Sequence, residues 1–237
     1  MSPALVAHRG ASRWAPENTF PALRKAVDMD AQVIEFDIRE SADGVLYVMH
    51  DEKLDRTTDG TGPFHALSSA EIDALDAGRW FGAEFEGTRV PQFDAYLDAI
   101  AQAGLEAYAE VKWCDCDRAA AIIREAGMQD RTFTFSFEAE MRAWMRRAAP
   151  EIRHMVISPI ARNVSVARAL HGADMIELHA ESLRAPVVQA ARDAGLQIMA
   201  YSNSDDPKVY RRMFDLGIDY INHDHLDLTN ALRSERG

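Results

Sequence analysis

The sequence predicts an α/β fold, a closed parallel barrel built from about eight strand–helix units. Three observations carry this. Short apolar runs alternate with longer amphipathic stretches along the whole chain. Gly104, Gly127, Gly195 and Gly217 each fall just past an amphipathic stretch, where a helix ends in the left-handed conformation. The length, 237 residues at 47% hydrophobic content, is what one such barrel needs to bury its core. Neither a G-x-G-x-x-G fingerprint nor a P-loop is present, which disfavours an open nucleotide-binding sheet.

Taken in order, the strand candidates are Leu5–Ala7, Val33–Ile38, Val45–Met49, Glu106–Val111, Thr132–Phe135, His154–Ile157, Met175–Leu178, Leu196–Tyr201 and Tyr220–Asn222. The helical patterns between them are Thr19–Met29, Phe93–Ala103, Asp117–Ala126, Ala139–Ala149, Val164–His171, Pro186–Ala194 and Lys208–Leu216. Asn18 is the expected cap of the first helix, with Pro21 tolerated in its first turn. The rhythm fails once. Residues 54–91 contain no clean strand–helix unit and read as an insertion over one face of a single domain spanning 1–237.

The formal charge of −12 removes the electrostatic footprint for nucleic acid or an anionic membrane surface. An anionic ligand would therefore need a cation or particular Arg and Lys residues. Cys114 and Cys116 are spaced too closely for a structural zinc pair and read as free thiols. No leader or membrane-spanning stretch is visible, so a cytoplasmic location without a membrane anchor is expected. The oligomeric state, including a homo-oligomer, is left open.

The chemistry gathers at strand ends. His8-Arg9-Gly10 closes the first strand with a titratable imidazole, a two-pronged anion donor and a flexible turn. Glu35 and Asp37 lie two residues apart on an apolar strand and share a face. Such a pair is costly unless protonated, paired or bound to a cation, and oxygen ligands suit Mg²⁺ or Ca²⁺. Asp43-Gly44 predicts a hairpin into the next strand. A two-residue turn sets Asp37 opposite His50, and a four-residue loop sets Glu35 opposite it. Either way His50 shares the carboxylate face, with Asp51 able to orient the imidazole. Glu110 and Lys112 form a third pair on one face of Glu106–Val111. Three carboxylates for a divalent cation, Arg9 and Lys112 for a phosphate, and two histidines for acid–base work describe metal-assisted cleavage of a phosphodiester.

These motifs resemble the glycerophosphodiester phosphodiesterase family, closest to its short cytoplasmic bacterial members. The likeness runs through His8-Arg9-Gly10, Pro16-Glu17-Asn18-Thr19, Glu35-Phe36-Asp37, His50-Asp51, Arg56-Thr57-Thr58 with Gly60, Glu110-Val111-Lys112, Ser136-Phe137, Tyr201-Ser202-Asn203 and Gly217-Ile218-Asp219. The resemblance implies a TIM-type (β/α)8 barrel with a small insertion after the second strand. It implies a phosphoric diester hydrolase that converts glycerophosphodiesters to sn-glycerol 3-phosphate and an alcohol. It further implies Mg²⁺ or Ca²⁺ on Glu35, Asp37 and Glu110, catalysis by His8 and His50, and phosphate contacts from Arg9 and Lys112. Glu17, Asp51, Trp80, Phe81 and Tyr201 are secondary candidates. The family's late Trp-Thr-Val-Asn and Thr-Asp stretches read Ala200-Tyr201-Ser202-Asn203 and Asn222-His223-Asp224 here, which bears on the glycerol or head-group pocket. His223 and His225 are expected at the rim. The competing readings are a lysophospholipase D-like or sphingomyelinase D-like phosphodiesterase, a glycosidase, and a phosphoester-binding module without turnover.

Overall fold

The computed structural model describes residues 2–236. Nine strands form: β1 (Ala4–Ala7), β2 (Val33–Glu40), β3 (Leu46–Val48), β4 (Glu106–Trp113), β5 (Thr132–Phe135), β6 (Arg153–Ile157), β7 (Met175–His179), β8 (Gln197–Ser202) and β9 (Tyr220–His223). Eight of them pair in parallel in the order β1-β2-β4-β5-β6-β7-β8-β9 and close through β9 onto β1. The predicted closed barrel with surrounding helices is therefore present, of the TIM type. The ninth strand, β3, runs antiparallel to β2. One edge of β2 carries β4 along its length, so β1 and β3 share the other edge, β1 at Val33–Ile34 and β3 at Ile38–Glu40. The stretch between them holds Glu35 and Asp37.

Strand alternation sorts the side chains into two cores. Leu5, Ala7, Ile34, Phe36, Ala107, Ala109, Ile176, Leu178, Ile198 and Ile221 face outward and pack under the helices. Val6, Val33, Tyr108, Phe133, Phe135, Met155, Met175, Met199 and Tyr220 face inward and plug the barrel. Tyr108 stacks on Phe133 at 4.8 Å between ring centres, closing the floor on which the site rests.

Most helices lie where the apolar period places them. The exceptions have local causes. The cap of Phe20–Asp28 is Thr19, whose Oγ1 accepts from Ala22 N, and not Asn18, which the barrel uses otherwise. The expected helix Val164–His171 breaks into a 3₁₀ turn at Val164–Val166 and a short helix at Ala167–His171. The β-branched Val164 and Val166 are weak helix formers, and the Asn163 side chain caps the turn by accepting from Ser165 N. A further helix, Leu226–Ser234, follows β9 and was not anticipated. The excursion between β3 and the helix Phe93–Gln102 holds only short helical turns around its own cluster of Tyr47, Met49, Leu54, Phe64, Ile72, Ala77 and Val90. Both cysteines are free and buried. Among the described residues no helix is long and apolar enough to cross a membrane.

Candidate active site

A cavity of about 250 Å³ opens at the C-terminal ends of the barrel strands, lined by His8, Arg9, Glu35, His50, Glu110, Lys112, Glu177, Tyr201 and Asn222 among others. Its strand residues continue the inward-facing series one step above the apolar plug. Val6 leads to His8, Val33 to Glu35 and Asp37, Tyr108 to Glu110 and Lys112, Met175 to Glu177, Met199 to Tyr201, and Tyr220 to Asn222.

At the end of β1 the chain turns sharply. Arg9 and Gly10 take positive φ values of 59° and 75°. A Cβ on Gly10 would sit 2.8 Å from the Ala22 Cβ, so this turn needs glycine for space as well as for conformation. The turn aims the Arg9 backbone N–H at Glu35 Oε2, 2.7 Å away.

Glu35, Asp37 and Glu110 are all buried, and one oxygen from each lies within 4.8 Å of the others. Asp37 Oδ2 accepts from Asn18 Nδ2 at 2.8 Å, and Asp37 Oδ1 lies 3.0 Å from Lys112 Nζ. Lys112 also pairs with Glu110. Burial, reinforced by the charge of Asp37, pushes Glu35 up to about 8 and raises Glu110 as well. Burial would raise Asp37 too, but Lys112, His50, Arg9 and the Asn18 hydrogen bond together hold it low. Oxygen ligands this dense, with two carboxyls resisting ionisation, fit a hard divalent cation.

The two histidines are held alike. His8 Nδ1 bonds Asp224 Oδ1 at 2.8 Å, and His50 Nδ1 bonds Asp51 Oδ1 at 2.7 Å. Each Nε2 is left without a protein partner among the described residues. Their charges differ. Burial disfavours a charge on His8, but the Asp224 hydrogen bond and the carboxylates of Glu35 and Asp224 overcome it and lift the pKa to about 9. Burial dominates at His50 and lowers its pKa.

His50 reaches the carboxylates by neither predicted register. Ile38 pairs with Val48 and Arg39 with Tyr47. Ser41 N bonds Val45 O, leaving Ala42, Asp43 and Gly44 as the loop, with Gly44 at φ +84°. Continued, this register would set His50 opposite the outward-facing Phe36. The last bond of this register runs from Met49 N to Asp37 O at 3.0 Å, and the chain leaves the ladder at His50. Arg39 then grips the His50 carbonyl with Nε at 3.0 Å and Nη2 at 2.8 Å, turning the imidazole toward the cavity.

Among the secondary candidates, Tyr201 lies edge-on to His8, 5.5 Å between ring centres. Glu17 accepts from Arg9 at 2.8 Å and from Arg56 at 2.7 Å, and Arg56 also donates to Asp51 at 2.7 Å. Arg56 thus joins the arginine side of the site to the His50 side. Trp80 and Phe81 do not line the cavity. They pack on one another inside the insertion, Phe81 also packs on Phe85, and Trp80 Nε1 donates to Ala77 O. His223 and His225 are buried and not at the rim; His223 Nδ1 accepts from His225 N.

Sequence reasoning passed over Glu177 and the role of Asn18, and it read Asn222-His223-Asp224 only as a departure bearing on the glycerol or head-group pocket, with no role for Asn222 or Asp224 individually. The signal for Glu177 was present: Glu177 and His179 sit two apart on apolar β7, as Glu35 and Asp37 do on β2. Asp224 had no local signal, because its partner lies 216 positions away.

Known proteins resemble this chain in sequence and in fold. The crystal structure of a glycerophosphodiester phosphodiesterase from Agrobacterium tumefaciens superposes with a TM-score of 0.94 at 48% identity, covering 97% of this chain and 99% of that one. An Oleispira antarctica phosphodiesterase, solved with the product sn-glycerol-3-phosphate, gives a TM-score of 0.87 at 26% identity over 98% of this chain and 97% of that one. Among curated proteins, a glycerophosphodiester phosphodiesterase of Caldanaerobacter subterraneus is 31% identical over 163 residues, 65% of each chain. One from Bacillus subtilis is 45% identical over 101 residues, 39% of this chain and 34% of the relative. Each of these two matches spans less than two thirds of the relative's own length. The profile of the glycerophosphoryl diester phosphodiesterase family matches residues 8–228. The chain belongs to the glycerophosphoryl diester phosphodiesterase family.

Proposed function

We propose that this chain hydrolyses glycerophosphodiesters to sn-glycerol 3-phosphate and an alcohol, aided by one divalent cation, Mg²⁺ or Ca²⁺. The observation that carries this reading is the pair of aspartate-oriented imidazoles lining one cavity with three clustered carboxylates. Glu35, Asp37 and Glu110 would hold the cation. When bound, it supplies positive charge that polarises a phosphoryl oxygen and neutralises the buried carboxylates. Arg9 and Lys112 add two fixed cations beside it for the remaining phosphate charge.

The histidines divide the proton work by their surroundings. His50, favoured neutral by burial, accepts a proton at Nε2 from the attacking water. His8, favoured charged by Asp224 and Glu35, donates from Nε2 to the departing alcohol oxygen. A P–O bond to the nucleophile forms as the bond to the alcohol breaks, and the two imidazoles exchange protonation states. Asp51 and Asp224 fix the tautomers that leave Nε2 for this task.

The direct test is hydrolysis of glycerophosphocholine by the purified chain, followed by phosphorus NMR. The expected result is glycerol 3-phosphate, loss of activity with a chelator, and recovery with Mg²⁺ or Ca²⁺. Turnover indifferent to exhaustive chelation would remove the cation from the reading. No cleavage of any glycerophosphodiester would remove the reaction itself.

A further inference from the structure

Two polar residues on the inner face have no task in that chemistry. Glu177 is the third residue of β7 and Asn222 the third of β9. They reach across β8, and Asn222 Nδ2 donates to Glu177 Oε2 at 3.2 Å. Both line the cavity with His8, His179 and Tyr201. Asn222 is only 4% exposed, and its Oδ1 has no hydrogen-bond partner among the described residues. Glu177 stands outside the carboxylate cluster of Glu35, Asp37 and Glu110. An orphaned buried carbonyl oxygen costs stability and is retained where a ligand satisfies it.

The pair defines its ligand by what it lacks. It holds no cationic group, and with one Asn222 amide N–H spent on Glu177 it offers the cavity mainly acceptors: the remaining oxygen lone pairs of Glu177 and the Asn222 oxygen. Acceptors repel a phosphate, which belongs on the side of Arg9 and Lys112. They match hydroxyl donors. We propose that Glu177 and Asn222 accept hydrogen bonds from the two free hydroxyls of the glycerol moiety and so select unacylated glycerol esters. This rests on the phosphodiesterase reading and names the specificity of the same site. A lysophospholipid, with one of those oxygens acylated, has lost a donor and leaves a buried acceptor unpaired.

The test compares binding of sn-glycerol 3-phosphate and n-propyl phosphate, which share the phosphate and differ in the hydroxyls, by calorimetry with Mg²⁺ present. The wild-type protein is expected to prefer glycerol 3-phosphate by roughly 10- to 100-fold, the range of two hydrogen bonds to buried acceptors. In Glu177→Ala and Asn222→Leu that preference should collapse, while n-propyl phosphate binding stays within about twofold of wild type. Glu177→Gln, which keeps one acceptor oxygen, should fall between. Equal affinity of the wild-type protein for the two ligands overturns the proposal, even if no variant folds. So does an equal loss for both ligands in the variants, or an unchanged ratio. Glycerophosphocholine hydrolysis is measured alongside. Turnover without the preference sinks only this inference, whereas the preference without turnover supports it and sinks the phosphodiesterase reading.

Discussion

At the residue scale, a histidine here is defined by its aspartate. His8→Ala and His50→Ala should each lower kcat for glycerophosphodiester hydrolysis by about 10²–10⁴-fold, with binding of glycerol 3-phosphate retained. A pH profile separates their roles. In the proposed mechanism His50 works neutral and His8 charged, so kcat/KM should fall on the acid side at a pH below the ordinary histidine value of 6.5, and again on rising through about 9. Asp224→Asn removes both the ionic hydrogen bond and the charge that sustain the imidazolium. Its alkaline limb should therefore move to lower pH while the acid limb stays. An alkaline limb that does not move would assign that ionisation to another group. Several of these residues were legible in the sequence because their partners are local: Glu35 beside Asp37, Glu110 beside Lys112, His50 beside Asp51. Asn18 was misread, because Thr19 can cap the helix equally well and only the fold shows that Asp37 needs an amide donor.

At the element scale, period-two alternation predicted more than the strands. It fixed which side chains meet inside the barrel, and it extended unread to Glu177 and His179 on β7. It failed for His50, since a turn of three residues instead of two or four reverses the face of all that follows. What places His50 is the end of the ladder and the Arg39 grip on its carbonyl, a contact between residues eleven positions apart that pattern cannot reveal. The β1 turn is equally exacting. Gly10→Ala would press a methyl into Ala22 and force φ +75° on an alanine. We expect a loss of about 1–3 kcal/mol by denaturant unfolding, together with weakened cation binding as the Arg9–Glu35 contact shifts. Normal stability in that variant would show that the turn has slack.

At the scale of the whole molecule, the site places like charges together inside a plugged barrel. In cation-free protein, Glu35 is pushed from an ordinary 4.5 up to about 8, so ionising it in the folded state is unfavourable and stability declines as pH rises across that window. His8 acts in the same direction. Its raised pKa contributes stability that is complete below 6.5 and lost as pH climbs through about 9. The chelated protein should therefore melt at progressively lower temperature from pH 7 to pH 9, above the range in which the buried neutral His50, His154 and His223 act in the opposite direction. A divalent cation at about 100 times its Kd should restore about 2.7 kcal/mol at neutral pH. Glu110→Ala should blunt that rescue, and an undiminished rescue would take Glu110 out of the ligand set.

The bond from His8 to Asp224 spans nearly the entire chain, and β1 closes the barrel against β9. On the ribosome, therefore, the carboxylates of β2 and β4 and the hairpin bearing His50 emerge long before the imidazole at the N-terminal end can be oriented. On the proposed two-histidine mechanism, catalysis would wait on β9 and the residues that follow it. A nascent or truncated chain ending before Tyr220 would carry nearly every reactive group yet have no aspartate to poise its first histidine, and adding the missing C-terminal segment in trans should switch hydrolysis on.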